Sequence, residues 1–125
     1  MTDIRYDAVI VGGGTAGLSA AQMLGRARRR TLVIDAGAPR NRFAAHMHGV
    51  LGHDGRSPAD LLETGRAEAR AYGVEFLDGN VLSLTDAGDR ITVTHERGEV
   101  SARGVVLTTG VVDDLPGIPG LREQW

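Results

Sequence analysis

The chain has 125 residues, 42% hydrophobic and 24% charged, with a formal net charge of −2, proportions that suit one soluble globular domain or a piece of one. The near-neutral balance argues against a basic nucleic-acid surface, and no apolar run reaches membrane-spanning length. Cysteine is absent, which excludes a disulfide, a thiolate metal site or a redox dithiol carried by these residues.

All fourteen basic residues are arginine, which with 18 glycines reads as a genome-composition bias and not as chemistry. The first residues, MTDIRYD, lack the apolar core of a signal peptide, so a cytoplasmic protein is expected.

Residues 5–35 read as a β-α-β unit. The apolar run Ala8–Val11 leads into Gly12–Gly13–Gly14, and a second run, Leu32–Ile34, ends on Asp35. G-x-G-x-x-G falls on Gly12, Gly14 and Gly17, after a strand pattern and before a helix pattern. Gly12 permits a tight turn, Gly14 leaves room for a pyrophosphate, and Gly17 lets the helix approach the strand. The helix N-terminus offers N–H groups and partial positive charge to phosphates. Asp35, 18 positions after Gly17, is placed to accept hydrogen bonds from ribose hydroxyls. The unit therefore predicts adenine-dinucleotide binding.

The helix is expected from Thr15 to about Arg28, with Leu18, Ala21 and Leu24 near one face and small residues allowing close packing. Arg26, Arg28, Arg29 and Arg30 are read as a solvated C-terminal cap rather than a phosphate site. Residues 36–57 show no sustained period, and an excursion of this length is usually functional. A second helix is expected over 58–72, with Ser57 as N-cap, Pro58 first, Asp60 in the first turn and Gly73 as the stop. Tyr72 and Phe76 are read as core. Strand patterns at Val74–Phe76, Val81–Leu84, Ile91–Val93 and Val105–Leu107, with turns at Asp86–Asp89 and Arg97–Gly98, predict a small antiparallel meander. Its last strand, 104–109, returns to the nucleotide-binding sheet. The Asp113–Asp114 pair is read as a solvated turn.

The ordered series VGGGTAGLSAA, Asp35–Ala36–Gly37, Pro39–Arg40–Asn41–Arg42, His46–Met47–His48–Gly49–Val50–Leu51–Gly52 and Val105–Val106–Leu107–Thr108–Thr109–Gly110 before Leu-Pro-Gly-Ile-Pro-Gly covers nearly the whole chain. It resembles the FAD-binding portion of the thioredoxin reductase-like flavoproteins, class II pyridine nucleotide-disulfide oxidoreductases. The loop looks most like the branch containing dithiol oxidases and related bacterial reductases. The resemblance implies an α/β, Rossmann-like FAD-binding domain, a parallel sheet with helices plus a small antiparallel β-meander. Residues 1–125 would be its N-terminal segment, with the NAD(P)H domain, the returning FAD segment and the redox Cys-x-x-Cys outside them.

By this resemblance Gly12, Gly14, Thr15, Ala16 and Gly17 would hold the FAD pyrophosphate, and Asp35, with Ala36 beside it, the adenosine ribose. Arg40, Asn41 and Arg42 would run along the ribityl chain and phosphates. His48, Gly49 and Gly52 would lie against the isoalloxazine, Val81 would meet adenine through its backbone, and Thr109 and Gly110 would pass the cofactor. His48 is the one catalytic candidate, as a proton relay near neutrality. The implied activity is disulfide reduction or dithiol oxidation through flavin. NADP(H) would be a further cofactor in the complete enzyme, which would be a homodimer acting on a small-molecule or protein disulfide or dithiol.

His46, His48 and His53 with Asp54 lack the spacing of a metal cluster, so no metal is expected. Asp35 stands where FAD proteins commonly carry Glu, so an NAD-binding dehydrogenase domain remains open for the first unit. It predicts strands and helices alternating after residue 35. A non-enzymatic nucleotide-binding module is the third reading.

Overall fold

The apolar runs of the first unit become strands at the centre of a six-stranded mixed sheet. The computed structural model describes residues 5–37, 45–111 and 114–124; Arg40, Asn41, Arg42 and Asp113 lie outside the described residues. The elements follow in the order β1 (Arg5–Val11), α1 (Thr15–Arg26), β2 (Thr31–Asp35), α2 (Pro58–Ala71), β3 (Glu75–Asp78), β4 (Val81–Asp86), β5 (Ile91–His95), β6 (Gly98–Leu107) and α3 (Leu121–Gln124). Strand order is β3-β2-β1-β6-β5-β4. β3, β2, β1 and β6 are parallel, and β6, β5 and β4 form the antiparallel meander.

β1 and β2 read as continuous apolar runs because both of their faces are covered. Val9, Val11, Leu32 and Ile34 belong to one core cluster, with Tyr6, Val93 and Ala102. Ile10 and Val33, one residue out of step, belong to the other, with Ala21 of α1, Ala69 of α2 and Val74. The helices therefore cover one face. Val93 of β5, fully buried in the first cluster, shows the meander covering the other. Each such valine or isoleucine contributes about 1.5–3 kcal/mol by leaving water.

Small residues set the depth at which α1 sits. A Cβ on Gly25 would come 2.9 Å from both Tyr72 Cβ and Val74 Cγ2, and one on Gly65 would meet Leu18 Cδ1 at 3.0 Å. α1 and α2 pack together through these gaps. Arg26, Arg28, Arg29 and Arg30 are exposed, in keeping with a solvated cap.

Four expectations are refined. The strand expected at Val74–Phe76 in the antiparallel meander is β3, which pairs in parallel with β2 at the opposite edge of the sheet. The returning strand is longer than 104–109: β6 runs from Gly98, pairing with β5 through Gly98–Ala102 and with β1 through Ser101–Leu107. Tyr72 is not core. As C-cap of α2 it is 47% exposed, whereas Phe76 packs against the second cluster. Ser57 is the N-cap of α2 by position, but its side chain makes no capping bond.

Candidate functional site

β1, β2 and β6 end at one edge of the sheet, where α1 begins. The turn after β1 is held from both sides. Gly12 N donates to Ile34 O of β2 at 2.8 Å, and Thr108 N donates to Val11 O at 2.9 Å. Thr108 Oγ1 lies 2.9 Å from Gly12 O and 3.1 Å from Val11 O, so its one proton is shared between two carbonyls.

The four glycines here have different causes. Gly12 has φ +104°, and a Cβ on it would collide with Thr108 O. A Cβ on Gly17 would strike Gly12 O and lie 2.7 Å from Thr108 Oγ1, and one on Gly13 would come within 2.8 Å of the Asp35 carboxyl. Gly14 differs: its φ is −77°, and a Cβ there would meet nothing within 4 Å. Packing within the chain explains Gly12, Gly13 and Gly17. It does not explain Gly14, which is the N-cap of α1 and faces open space. No side chain caps that helix end, and no acidic residue occupies its first turn. The partial positive charge of the N-terminus is left available to an anion.

Asp35 ends β2 beside this turn. Its Oδ1 accepts from Gly13 N and Gly37 N, each at 3.2 Å, and its Oδ2 accepts from Arg66 Nη2 at 3.0 Å. Gly79 N donates to the Asp35 main-chain oxygen at 2.9 Å, which brings the start of the meander, and Val81 two residues on, to the end of β2. Glu96 Oε1 accepts from both Asn80 N and Asn80 Nδ2 at 2.7 Å. Those bonds, the side-chain one first, hold the Glu96 carboxyl below its ordinary value.

The loop before α2 folds back on itself. Met47 N donates to Arg56 O at 2.8 Å and Gly55 N to Met47 O at 2.7 Å. Asp54 Oδ1 accepts from Gly49 N at 2.8 Å and lies 3.5 Å from His48 Nδ1; the His48 side chain is 75% exposed. Arg56 donates through Nη1 to His53 Nδ1 and through Nη2 to Thr64 Oγ1, both at 3.0 Å, pinning the loop to α2. Behind it lies a groove of about 380 Å³ between α1 and α2, lined by Leu18, Ser19, Gln22, Val50, His53 and Leu61 among others. Among the described residues no group of acidic and histidine side chains is arranged to hold a metal.

Gly12, Gly14, Thr15, Ala16, Gly17, Asp35, Ala36, Thr109 and Gly110 thus gather at one edge, with Val81 tied to it through Gly79. His48, Gly49 and Gly52 stand on the separate loop. Thr108, Gly13 and Arg66 belong to this edge and were not expected. Gly13 could have been found as the middle of three consecutive glycines; Arg66 carries no local signal.

Together, the parallel sheet, the glycine turn and the curled meander define a Rossmann-like dinucleotide-binding fold of the type found in thioredoxin reductases. A model of the pyridine nucleotide-disulphide oxidoreductases matches residues 6–125, and the chain belongs to that family. A probable thioredoxin reductase of Arthroderma benhamiae is 40% identical over 97% of this chain and 32% of its own length. Thioredoxin reductase tcpT of Claviceps purpurea is 37% identical over 95% of this chain and 39% of its own. Among solved structures, HlmI is 49% identical with a TM-score of 0.90, covering 98% of this chain and 40% of HlmI. An oxidoreductase from Agrobacterium tumefaciens is 41% identical with a TM-score of 0.92, covering 98% and 42%. The chain therefore spans less than half the length of each of these relatives. Among the described residues, no helix is long and apolar enough to cross a membrane.

Proposed function

We propose that this chain supplies the adenosine-diphosphate-binding half of an FAD site in a flavin-dependent oxidoreductase of the thioredoxin reductase-like group. The observation that carries the reading is Gly14. No neighbouring atom in the chain excludes a side chain there, and its open face lies at a helix N-terminus that no side chain caps.

Gly12, Gly14, Thr15, Ala16 and Gly17 bind the pyrophosphate, Gly12 and Gly17 by letting strand and helix approach, and Gly14 by leaving the space. Asp35 and Ala36 receive the ribose, and Val81 the adenine edge. Arg40, Asn41 and Arg42 follow the ribityl chain. Thr109 and Gly110 border the cofactor, and His48, Gly49 and Gly52 the isoalloxazine. His48, beside Asp54, holds or moves a proton at that loop.

When bound, FAD supplies electron exchange between a dithiol–disulfide pair and a nicotinamide donor or acceptor. The whole enzyme reduces a small-molecule or protein disulfide, or oxidises a dithiol. It uses NADP(H) where it is a reductase, and it works in the cytoplasm as a homodimer without nucleic acid. With no cysteine in this chain, the reacting thiols come from other residues. A plain NAD-binding unit would continue from β3 into a helix; the meander β4–β6 speaks for the flavoprotein reading.

The test is a titration with FAD followed through the flavin bands near about 370 and 450 nm. Gly14→Val is expected to abolish binding, and Asp35→Ala to weaken it by about 1–3 kcal/mol. Undiminished affinity in Gly14→Val sinks the proposed pose.

A further inference from the structure

Arg66 reaches Asp35 from α2, 31 positions away, and its guanidinium is fixed on three sides. Nη2 donates to Asp35 Oδ2 at 3.0 Å, the same nitrogen lies 3.5 Å from Asp78 Oδ1, and the group stacks 5.0 Å from the centre of the Phe76 ring. Side-chain exposure is 24% for Arg66 and 18% for Asp35, so water screens this pair little.

An ionised carboxylate has about four acceptor positions. Asp35 uses two on Oδ1, for Gly13 N and Gly37 N, and one on Oδ2, for Arg66. What remains for a ligand hydroxyl is one position on Oδ2, next to the guanidinium. Arg66 therefore decides which way Asp35 presents itself. Asp35 in turn covers a cation that would otherwise face the ligand. Asp35 and Asp78 stand beside two guanidiniums, Arg66 at 5.0 Å and Arg70 at 4.9 Å from the centre of the Phe76 ring, so the discrimination rests on the Asp35 carboxylate itself, which accepts a neutral hydroxyl and repels a phosphate. In dinucleotide-binding folds an arginine near this strand end is what accommodates a ribose 2′-phosphate.

Resting on the dinucleotide site proposed above, we propose that the Asp35–Arg66 pair sets the specificity of the adenosine end. Arg66 is a positioning residue that orients Asp35 toward an unphosphorylated ribose. Masking of Arg66 by Asp35 excludes a 2′-phosphate, and the site becomes a 2′-phosphate site once Asp35 loses its charge.

The experiment is calorimetric titration of the full chain with ADP and with 2′-phospho-ADP, for the wild type, Asp35→Asn, Arg66→Met and the double variant. The readout is the ratio of the two affinities on one preparation. Both ligands bind only folded protein, so the ratio does not move with the fraction folded. The wild type is expected to prefer ADP by about tenfold or more, and Asp35→Asn to shift the ratio toward 2′-phospho-ADP by a similar factor. In the double variant that shift is lost. If the shift survives without Arg66, or the wild type takes both ligands equally, the inference is overturned while the ADP site stands. If the wild type binds neither ADP nor FAD, the dinucleotide reading falls and takes the inference with it.

Discussion

The backbone N–H of Arg29 donates to the carbonyl of Leu24 across 3.0 Å, closing α1 through Arg28 in the left-handed conformation at φ 58°. Arg28 N donates to Gly25 O at 2.9 Å, completing the paired bonds of a Schellman ending. A residue with a Cβ is strained there by about 1–2 kcal/mol, and the Arg28 side chain is exposed. Arg28→Gly is expected to stabilise the chain by about 0.5–1 kcal/mol, after allowing for the added freedom of glycine in the unfolded state. Urea unfolding measures it, and a lower midpoint would show that the strain is not released.

Gly14 and Gly17 separate folding from binding. Gly17→Ala drives a methyl into Gly12 O and Thr108 Oγ1, and is expected to cost about 1–3 kcal/mol of stability. Gly14→Ala meets open space at an ordinary φ, so its cost should stay below about 1 kcal/mol, the preference for glycine over alanine at an N-cap. Thermal unfolding of the two variants side by side decides it; equal losses would contradict the assignment of Gly14 to a ligand.

Thr108→Val removes the hydroxyl shared by Val11 O and Gly12 O. A loss of about 1 kcal/mol is expected. Hydrogen exchange offers the finer check: Gly12 N, bonded to Ile34 O, should exchange faster in the variant.

Acid should destabilise the fold through Asp7 and Glu96. Asp7 is held below its ordinary value of 3.8, chiefly by the Arg30 backbone N–H bonded to Oδ2 at 2.7 Å. Glu96 is held below 4.5 by Asn80. Folded values lower than unfolded ones mean that this stability is present above the unfolded values and is lost as the pH falls through the folded ones. The melting temperature is therefore expected to fall as the pH drops below about 4.5. Glu96→Gln should flatten part of that fall; an unchanged acid limb would remove Glu96 from the account.

The ends of the two long helices show what sequence can and cannot carry. α2 closes like α1: Gly73 N donates to Arg70 O at 2.8 Å and Val74 N to Ala69 O at 3.2 Å, with Gly73 at φ +88°. Written with glycine, that stop was legible to within a residue. Written with arginine, the end of α1 at Arg26 was overrun to Arg28, because nothing in an exposed basic run marks a left-handed residue. The glycine turn and the strand that ends on Asp35 were legible because a close approach admits few residue types. Arg66 was not, since its partner Asp35 stands at the end of β2, 31 positions away, and Arg66 alone looks like solvated surface. Tyr72 was misread for a related reason: its apolar ring follows the helical period, but the cap position turns it outward. The short α3 lies beyond Pro119, where no periodic pattern is long enough to announce four helical residues.

β6 touches both ends of the chain's history. Its residues Ser101–Leu107 are the parallel partners of Arg5–Val11, so the central pair of the sheet joins segments about ninety-six positions apart. A nascent chain that has emerged only through β2 already carries every glycine of the nucleotide motif, but not the strand and the threonine that hold the turn. Pairing over such a separation is slow and comes late in folding. The edge that carries the glycine turn is therefore assembled after synthesis has passed Thr108, and the nucleotide binding proposed for it would come last in the folding of the segment.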